Sequence, residues 1–152
     1  MRLEKTIDFQ TSSAAILTES LPLRPQITVL LVEDEDFVRK VTAEVLRSLG
    51  YQVLVACNAD EATAIFMKHS SRVRLVVTDL VMPGKNGRKL AKTLSEISPG
   101  LSVILTSGHP AMVSDDKSAA QLHYLPKPYS VESLTRKIDQ VLAQGKEVCP
   151  TQ

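Results

Sequence analysis

Aromatic and cysteine side chains are scarce in this 152-residue chain: tryptophan is absent, aromatic residues make up 4% and there are only two cysteines. Cys57 and Cys149 lie far apart and lack the spacing of metal ligands. We therefore interpret them as a half-buried thiol and a tail thiol of a cytoplasmic protein. The longest apolar stretches have only the length of strands, so none is predicted to cross a bilayer. No apolar segment follows the charged N-terminus, so we predict no secretory signal.

The charge balance excludes two further classes of protein. There are 18 basic and 17 acidic residues, for a net charge of +1. No basic excess indicates nucleic-acid binding, and no charge run indicates a membrane surface. Hydrophobic residues make up 43% of the chain, which is enough for the core of one domain. We predict a weakly ordered leader or linker over residues 1–26, a single domain over 27–145 and a tail over 146–152.

From Thr28 onward, strand-length apolar runs alternate with helix-length amphipathic segments. The pattern predicts strands at 28–33, 51–56, 74–79, 101–106 and 123–125, and helices at 36–49, 59–69, 87–97, 114–120 and after Ser130. In the first helix, Arg39 and Lys40 are expected outside, and the core-facing stripe is expected to contain Phe37, Val38, Val41, Val45, Leu46 and Leu49. Gly50 is expected to end that helix in a left-handed conformation.

The alternation of strands and helices predicts an α/β fold with parallel strands and right-handed crossovers. The middle strands are apolar on both faces, as expected where helices cover both sides of a sheet. In such open sheets, binding sites form beyond the carboxyl ends of the strands. We therefore expect the polar residues that follow the predicted strands to meet at one edge of the sheet.

Acidic residues lie at the ends of two of these strands. Glu33 and Asp34 follow the apolar run of the first strand, and Asp79 ends the third, just before a turn at Met82-Pro83-Gly84. Three carboxylates do not lie together without protonation or a cation. Because every candidate ligand is an oxygen, we predict a Mg²⁺ site, with Mn²⁺ as the alternative. The backbone carbonyl of Val81 is a further candidate ligand.

A hydroxyl group and an ammonium group complete the predicted edge. Thr106 ends the fourth strand, and Lys127 follows the fifth between Pro126 and Pro128, which restrict the direction of the backbone. Such an edge suits a site that takes up a phosphoryl group on a carboxylate with the help of a divalent cation. Lys127 is expected to pair with Asp79 at first and later with an oxygen of that phosphoryl group, to which Thr106 also donates a hydrogen bond. Asp79 would be the nucleophile that forms an aspartyl phosphate, with the cation and Lys127 stabilising the transition state.

Four segments of the chain resemble the receiver domain of bacterial two-component response regulators. In chain order they are Val32-Glu33-Asp34-Glu35, Thr78-Asp79-Leu80-Val81-Met82-Pro83-Gly84, Leu105-Thr106-Ser107-Gly108 and Leu125-Pro126-Lys127-Pro128. The resemblance covers residues 28–144. It implies a flavodoxin-like (βα)5 fold, with a central five-stranded parallel sheet of order 2-1-3-4-5 and helices on both faces. It also implies that Asp79 takes a phosphoryl group from a phosphohistidine of a sensor histidine kinase or a phosphotransfer protein.

The resemblance assigns roles to the other residues of the predicted edge. It makes Glu33 and Asp34 the metal ligands, with Asp34 the more direct one, and it makes Thr106 and Lys127 the groups that bind the phosphoryl. Tyr124 matches an aromatic residue whose side chain moves inward when Thr106 is drawn to the phosphoryl group. A half-buried strand aromatic with no switching role is an equally good interpretation of Tyr124.

Other details of the chain bear on its partners. Gly87 matches the small residue with which the third helix of receivers begins. The predicted fourth helix, at 114–120, is shorter than in the family, where this helix belongs to the surface that binds the output partner. Phe37-Val38-Arg39 and Gly50-Tyr51 are similar to receivers appended to hybrid histidine kinases. The implied partners are a kinase or phosphotransfer protein and an unknown downstream protein. The formation of a homodimer, for instance through the face of 130–144, is an open alternative. Direct contact with nucleic acid or membrane is not expected.

Two other classes of function are weighed against this interpretation. Aspartate-based phosphatases also pass through an aspartyl phosphate, but they carry a second acid two residues after the nucleophile, where this chain has Val81. A flavodoxin-type binding module that is never phosphorylated would leave the acids and Lys127 unexplained. We therefore predict a regulatory phosphoacceptor and not a dedicated enzyme.

Overall fold

The computed structural model describes residues 26–108 and 122–148. The strands are β1 (Thr28–Val32), β2 (Gln52–Ala56), β3 (Val73–Asp79), β4 (Ser102–Ser107) and β5 (Leu122–Pro126). The helices of this part of the chain are α1 (Asp36–Ser48), α2 (Ala59–His69), α3 (Gly87–Ile97) and α4 (Val131–Val148). The strands and the first three helices begin and end within one residue of their predicted bounds. The predicted helix at 114–120 lies outside the described residues, as do residues 1–25 of the predicted leader.

The five strands form one parallel sheet in the order β2-β1-β3-β4-β5, which confirms the predicted order 2-1-3-4-5. Every residue of β1 and β4 is buried, because helices cover both faces of the sheet. One core cluster joins the sheet to α2 and α3 through side chains such as Phe66 and Leu94. The other joins the sheet to α1 and α4 through Leu46, Leu134 and Ile138.

Short polar residues and one glycine set the ends of the helices. Gly50 follows α1 with a φ of +96°, as predicted for the residue that ends this helix. The side chain of Asn58 accepts a hydrogen bond from the backbone N–H of Glu61 at the start of α2, and Asn86 does the same at the start of α3. Ser130 accepts one from the first turn of α4. Among the described helices, none is both long and apolar enough to cross a membrane.

The face that α1 turns to the core matches the prediction at Val45, Leu46 and Leu49 but differs from it nearer the start of the helix. Phe37 is 73% exposed and Val41 is 46% exposed, so the expectation that they point inward is wrong. The buried residues of this helix are Thr42, Ala43 and Leu46. At about 100° per residue, Phe37 lies roughly 180° around the helix from Leu46. The side that contains Phe37 and Val41 also carries Lys40 and Glu44, which stay in solvent, so the helix buries the side of Thr42, Ala43 and Leu46 instead.

Phe37 and Phe66 provide a test of this orientation. Replacement of the fully buried Phe66 by alanine should lower the free energy of unfolding by about 3–5 kcal/mol, because it leaves a cavity between α2 and the sheet. Replacement of Phe37 should change it by less than about 0.5 kcal/mol. Urea unfolding followed by circular dichroism measures both values, and a comparable loss in the two variants would contradict the observed orientation of α1.

Candidate functional site

The carboxyl ends of β1, β3 and β4 lie side by side. In the strand register Val32 is level with Thr78, and Asp79 is level with Thr106. Glu33, the residue after Val32, therefore comes next to Asp79 across the β1–β3 pair. The predicted meeting of polar residues at this edge is present in the structure.

Three acidic side chains converge at this edge. One carboxylate oxygen from each of Glu33, Asp34 and Asp79 lies within 4.8 Å of the other two. Glu33 is buried, Asp79 is half-buried and Asp34 is exposed. Two unit charges at such a distance repel by about 3 kcal/mol at an effective dielectric near ~20. The cluster consists only of oxygen donors and opens to solvent through Asp34, which suits a hard divalent cation.

Lys127 connects two of the acids. Its Nζ lies 3.2 Å from Glu33 Oε2 and 3.2 Å from Asp79 Oδ2, and its side chain is 28% exposed. The backbone N–H of Lys127 donates to the carbonyl of Ser107 at 2.8 Å, which holds the residue against the end of β4. The pair with Asp79 matches the prediction, whereas the pair with Glu33 was not predicted. The pair with Glu33 could have been predicted, because a lysine side chain that leaves β5 and reaches Asp79 on β3 also comes close to the end of β1.

The electrostatic environment alters two ionisable groups of the site. Burial raises the pKa of Glu33, and the negative charge of Asp79 adds to this effect, while the N–H of Glu35 and the ammonium of Lys127 oppose it. Burial lowers the pKa of Lys127, but the carboxylates of Glu33 and Asp79 outweigh burial, and the net shift is upward. Lys127 therefore stays charged at neutral pH. One ammonium does not neutralise three carboxylates, and the remaining negative charge favours a bound cation.

Backbone groups fix the turn that carries Asp79. Asp79 Oδ1 accepts the N–H of Val81 at 3.2 Å, so Val81, the predicted carbonyl ligand, lies in the turn directly beside the carboxylate. The N–H of Gly87 donates to the carbonyl of Leu80 at 2.9 Å. A Cβ atom added to Gly87 would lie only 2.4 Å from the carbonyl oxygen of Asp79. The absence of a side chain at Gly87 therefore lets α3 begin directly against the turn.

Thr106 is level with Asp79 on the neighbouring strand, and Tyr124 lies on β5 level with Leu105. The Thr106 hydroxyl donates to the carbonyl oxygen of Thr78 at 3.5 Å, and the residue is buried. Tyr124 is half-buried, and its ring packs against the core cluster under α2 and α3. Its hydroxyl is buried and has no hydrogen-bond partner among the described residues. The guanidinium of Arg88 lies 5.7 Å from the centre of the ring, at cation–π distance, a contact that was not predicted.

Arg39 is another residue that the sequence reasoning placed incorrectly. It was expected on the outer side of α1, yet its side chain is only 17% exposed. Its NH1 donates to the carbonyl oxygen of Glu33 at 3.0 Å, and its NH2 forms an ion pair with Asp36. Helical side chains tilt toward the N-terminus, so an arginine in the first turn reaches back to the preceding loop. This tilt could have predicted that Arg39 contacts the loop before the helix.

These features define a flavodoxin-like α/β domain with an acidic site at the carboxyl edge of its sheet. A family model described as the response regulator receiver domain matches residues 29–139. The chain therefore belongs to the response regulator receiver domain family.

Several known proteins are similar to the chain. The sensor kinase CckA of Brucella abortus is 37% identical over 117 residues, a stretch that covers 76% of this chain but 12% of CckA. The receiver protein CpdR of the same organism is 30% identical over 116 residues, covering 75% of this chain and 95% of CpdR. The chain spans 24% of the transcriptional regulator NtrC of Azospirillum brasilense. The structure of TrrA from Thermotoga maritima matches with a TM-score of 0.68 and 29% identity, over 76% of this chain and 99% of TrrA.

The close contact at Gly87 yields a prediction about the turn. Gly87→Ala should lower the free energy of unfolding by about 1–3 kcal/mol, because the new methyl group collides with the backbone of Asp79. Helix propensity alone would favour alanine by up to about 1 kcal/mol, so the two effects have opposite signs. Gly100→Ala is the control, since no atom lies within 4 Å of its added Cβ. Equal stabilities of the two variants in urea unfolding would refute the collision.

Proposed function

We propose that this domain is a cytoplasmic phosphoacceptor of a two-component system. In this proposal Asp79 takes a phosphoryl group from a phosphohistidine of a histidine kinase or phosphotransfer protein, and the change switches a surface that binds a downstream partner. Receiver domains are regulatory phosphoacceptors and not classical enzymes. The observation that carries the proposal is the convergence of three carboxylates and one lysine at the carboxyl edge of the sheet. We assign residues 27–145 to the receiver, 1–26 to a leader or linker and 146–152 to a tail.

A divalent cation fits the acidic cluster. We assign Glu33, Asp34, Asp79 and the backbone carbonyl of Val81 as ligands, because all of them supply the oxygen atoms that Mg²⁺ prefers. Mn²⁺ has similar preferences and is the alternative. TrrA, a relative in the same family, has been solved in complex with Mg²⁺ and BeF, which supports this assignment. Bound Mg²⁺ would supply positive charge that offsets the carboxylates and stabilises charge on an incoming phosphoryl group.

The transfer itself needs one nucleophile and little acid–base chemistry. A carboxylate oxygen of Asp79 forms a bond to phosphorus while the bond from phosphorus to the donor imidazole nitrogen breaks, and the imidazole keeps the electron pair. Lys127 already lies beside Asp79 Oδ2 and has a raised pKa, so it carries its positive charge throughout. In this role it stabilises negative charge as it spreads over the phosphoryl oxygens.

Thr106 and Tyr124 are assigned to the switch. Thr106 would release the carbonyl of Thr78 and donate to a phosphoryl oxygen, since its 3.5 Å hydrogen bond is long and easily exchanged. Tyr124 would then move inward as Thr106 is drawn to the phosphoryl group, and its half-buried ring already packs against the core cluster under α2 and α3.

Phosphorylation of Asp79 can be measured directly. After treatment with acetyl phosphate and Mg²⁺, intact-protein mass spectrometry should show one phosphoryl adduct on the wild type. The adduct should be absent when EDTA replaces Mg²⁺ and absent in Asp79→Asn, because the amide lacks the nucleophilic oxygen. Asp60→Asn is the matched control, since Asp60 is an exposed acid that pairs with Lys85 and does not belong to the cluster of three carboxylates. Full phosphorylation of Asp79→Asn would refute the proposal.

Lys127 should affect the rate of this reaction more than its extent. Lys127→Met removes the ammonium beside Asp79 and should slow adduct formation on the order of 100-fold, as for loss of one group that stabilises transition-state charge. Lys89→Met, at an exposed position of α3, should leave the rate unchanged. The measurement is a time course of adduct mass under saturating Mg²⁺, and identical rates for the two variants would remove Lys127 from the reaction.

A further inference from the structure

We propose that Arg39 is a positioning residue for the metal site. It holds the peptide group that joins Glu33 to Asp34, and thereby places the Asp34 carboxylate where a divalent cation binds. The inference rests on the Mg²⁺ site of the proposed function and assigns a role to a residue outside the ligand set.

The loop between β1 and α1 is held at several points around Glu33. The backbone N–H of Glu33 donates to the carbonyl of Ala56 at 3.1 Å. Its side chain accepts the N–H of Glu35 at 3.2 Å through one oxygen and the ammonium of Lys127 at 3.2 Å through the other. Its carbonyl oxygen accepts Arg39 NH1 at 3.0 Å. Every polar group of Glu33 therefore has a partner, and the carbonyl depends on Arg39.

Asp34 is held in a different way. It is exposed, and its carboxylate has no hydrogen bond or ion pair with the described residues. Its carboxylate is placed by the backbone from which it extends. The carbonyl of Glu33 belongs to the same planar peptide as the N–H of Asp34, so a hydrogen bond to that carbonyl restricts the orientation of Asp34. Arg39 is the side chain that makes this bond.

The shape of arginine suits this role. The planar guanidinium has donors that point in fixed directions, and Arg39 uses two of them, one on the Glu33 carbonyl and one on the Asp36 carboxylate. These contacts lie at the two ends of the loop that carries Asp34. Lys40 contacts the same Asp36 at 3.1 Å, but its side chain is 74% exposed and the ion pair with Asp36 is its described contact. Lys40 thus resembles Arg39 in charge and differs in the contact with the loop backbone.

Two effects of Arg39 on cation affinity have opposite signs. As a positive charge near the acids, Arg39 repels Mg²⁺, so its removal would tighten binding if charge dominated. As a positioning residue it keeps a ligand in place, so its removal would weaken binding. Replacement of residues that orient metal ligands commonly weakens metal affinity by about 10- to 100-fold. The direction of the change therefore separates the two roles.

The experiment measures Mn²⁺ affinity by electron paramagnetic resonance of the free ion, and Mg²⁺ affinity by competition, with no phosphodonor present. Arg39→Met keeps an unbranched stem and loses the guanidinium, and it should bind both ions about 10-fold more weakly than the wild type. Arg39→Lys keeps the charge but loses the two-armed geometry, and it should also bind more weakly. Lys40→Met is the control and should show no weakening.

The outcomes distinguish this inference from the proposed function. If the wild type binds neither ion, the metal site itself fails. If the wild type binds and Arg39→Met binds equally well or more tightly, the positioning role is overturned and the metal site stands. Circular dichroism establishes that each variant is folded, and if Arg39→Met does not fold, the decision passes to Arg39→Lys. Wild-type affinity in a folded Arg39→Lys would then overturn the inference, because charge alone would suffice.

Discussion

The ammonium of Lys127 lies between the carboxylates of Glu33 and Asp79, 3.2 Å from each, and the acidic edge of the sheet depends on this contact. Parallel strands with a fixed register deliver the acids to one place, whatever their mutual repulsion. Lys127 compensates part of that charge and joins β5 to β1 and β3 across the intervening strand. The negative charge that remains favours a bound cation at this edge.

Around this contact, interactions with the backbone place the acidic side chains. The N–H of Val81 orients Asp79, the bare Cα of Gly87 lets α3 begin against the carbonyl of Asp79, and Arg39 holds the carbonyl of Glu33. These groups act on the ends of strands whose interiors are buried on both faces. The buried sheet and the hydrogen-bonded loops after β1 and β3 therefore give the three carboxylates defined positions.

Much of the fold and of the acidic cluster was predictable because both depend on local pattern. Apolar runs bounded by polar turns marked the strands, and the carboxyl-end rule for parallel sheets brought Glu33, Asp34 and Asp79 together. The orientation of α1 was not predictable in the same way. Leu46 is buried as predicted, but Phe37 and Val41 are exposed and Thr42 and Ala43 are buried in their place, because fit against the sheet decides which face is buried.

The sequence by itself determined the succession of strands and helices along the chain, the α/β class and which polar residues follow which strands. Each of these depends on neighbours along the chain. Tertiary structure alone decided that Lys127 also pairs with Glu33, that Arg39 turns back to the loop, and that the Thr106 hydroxyl contacts the carbonyl of Thr78. Each of these contacts depends on side-chain reach and rotamer across elements that meet only after folding. Hydrophobic periodicity carries no information about side-chain reach or rotamer.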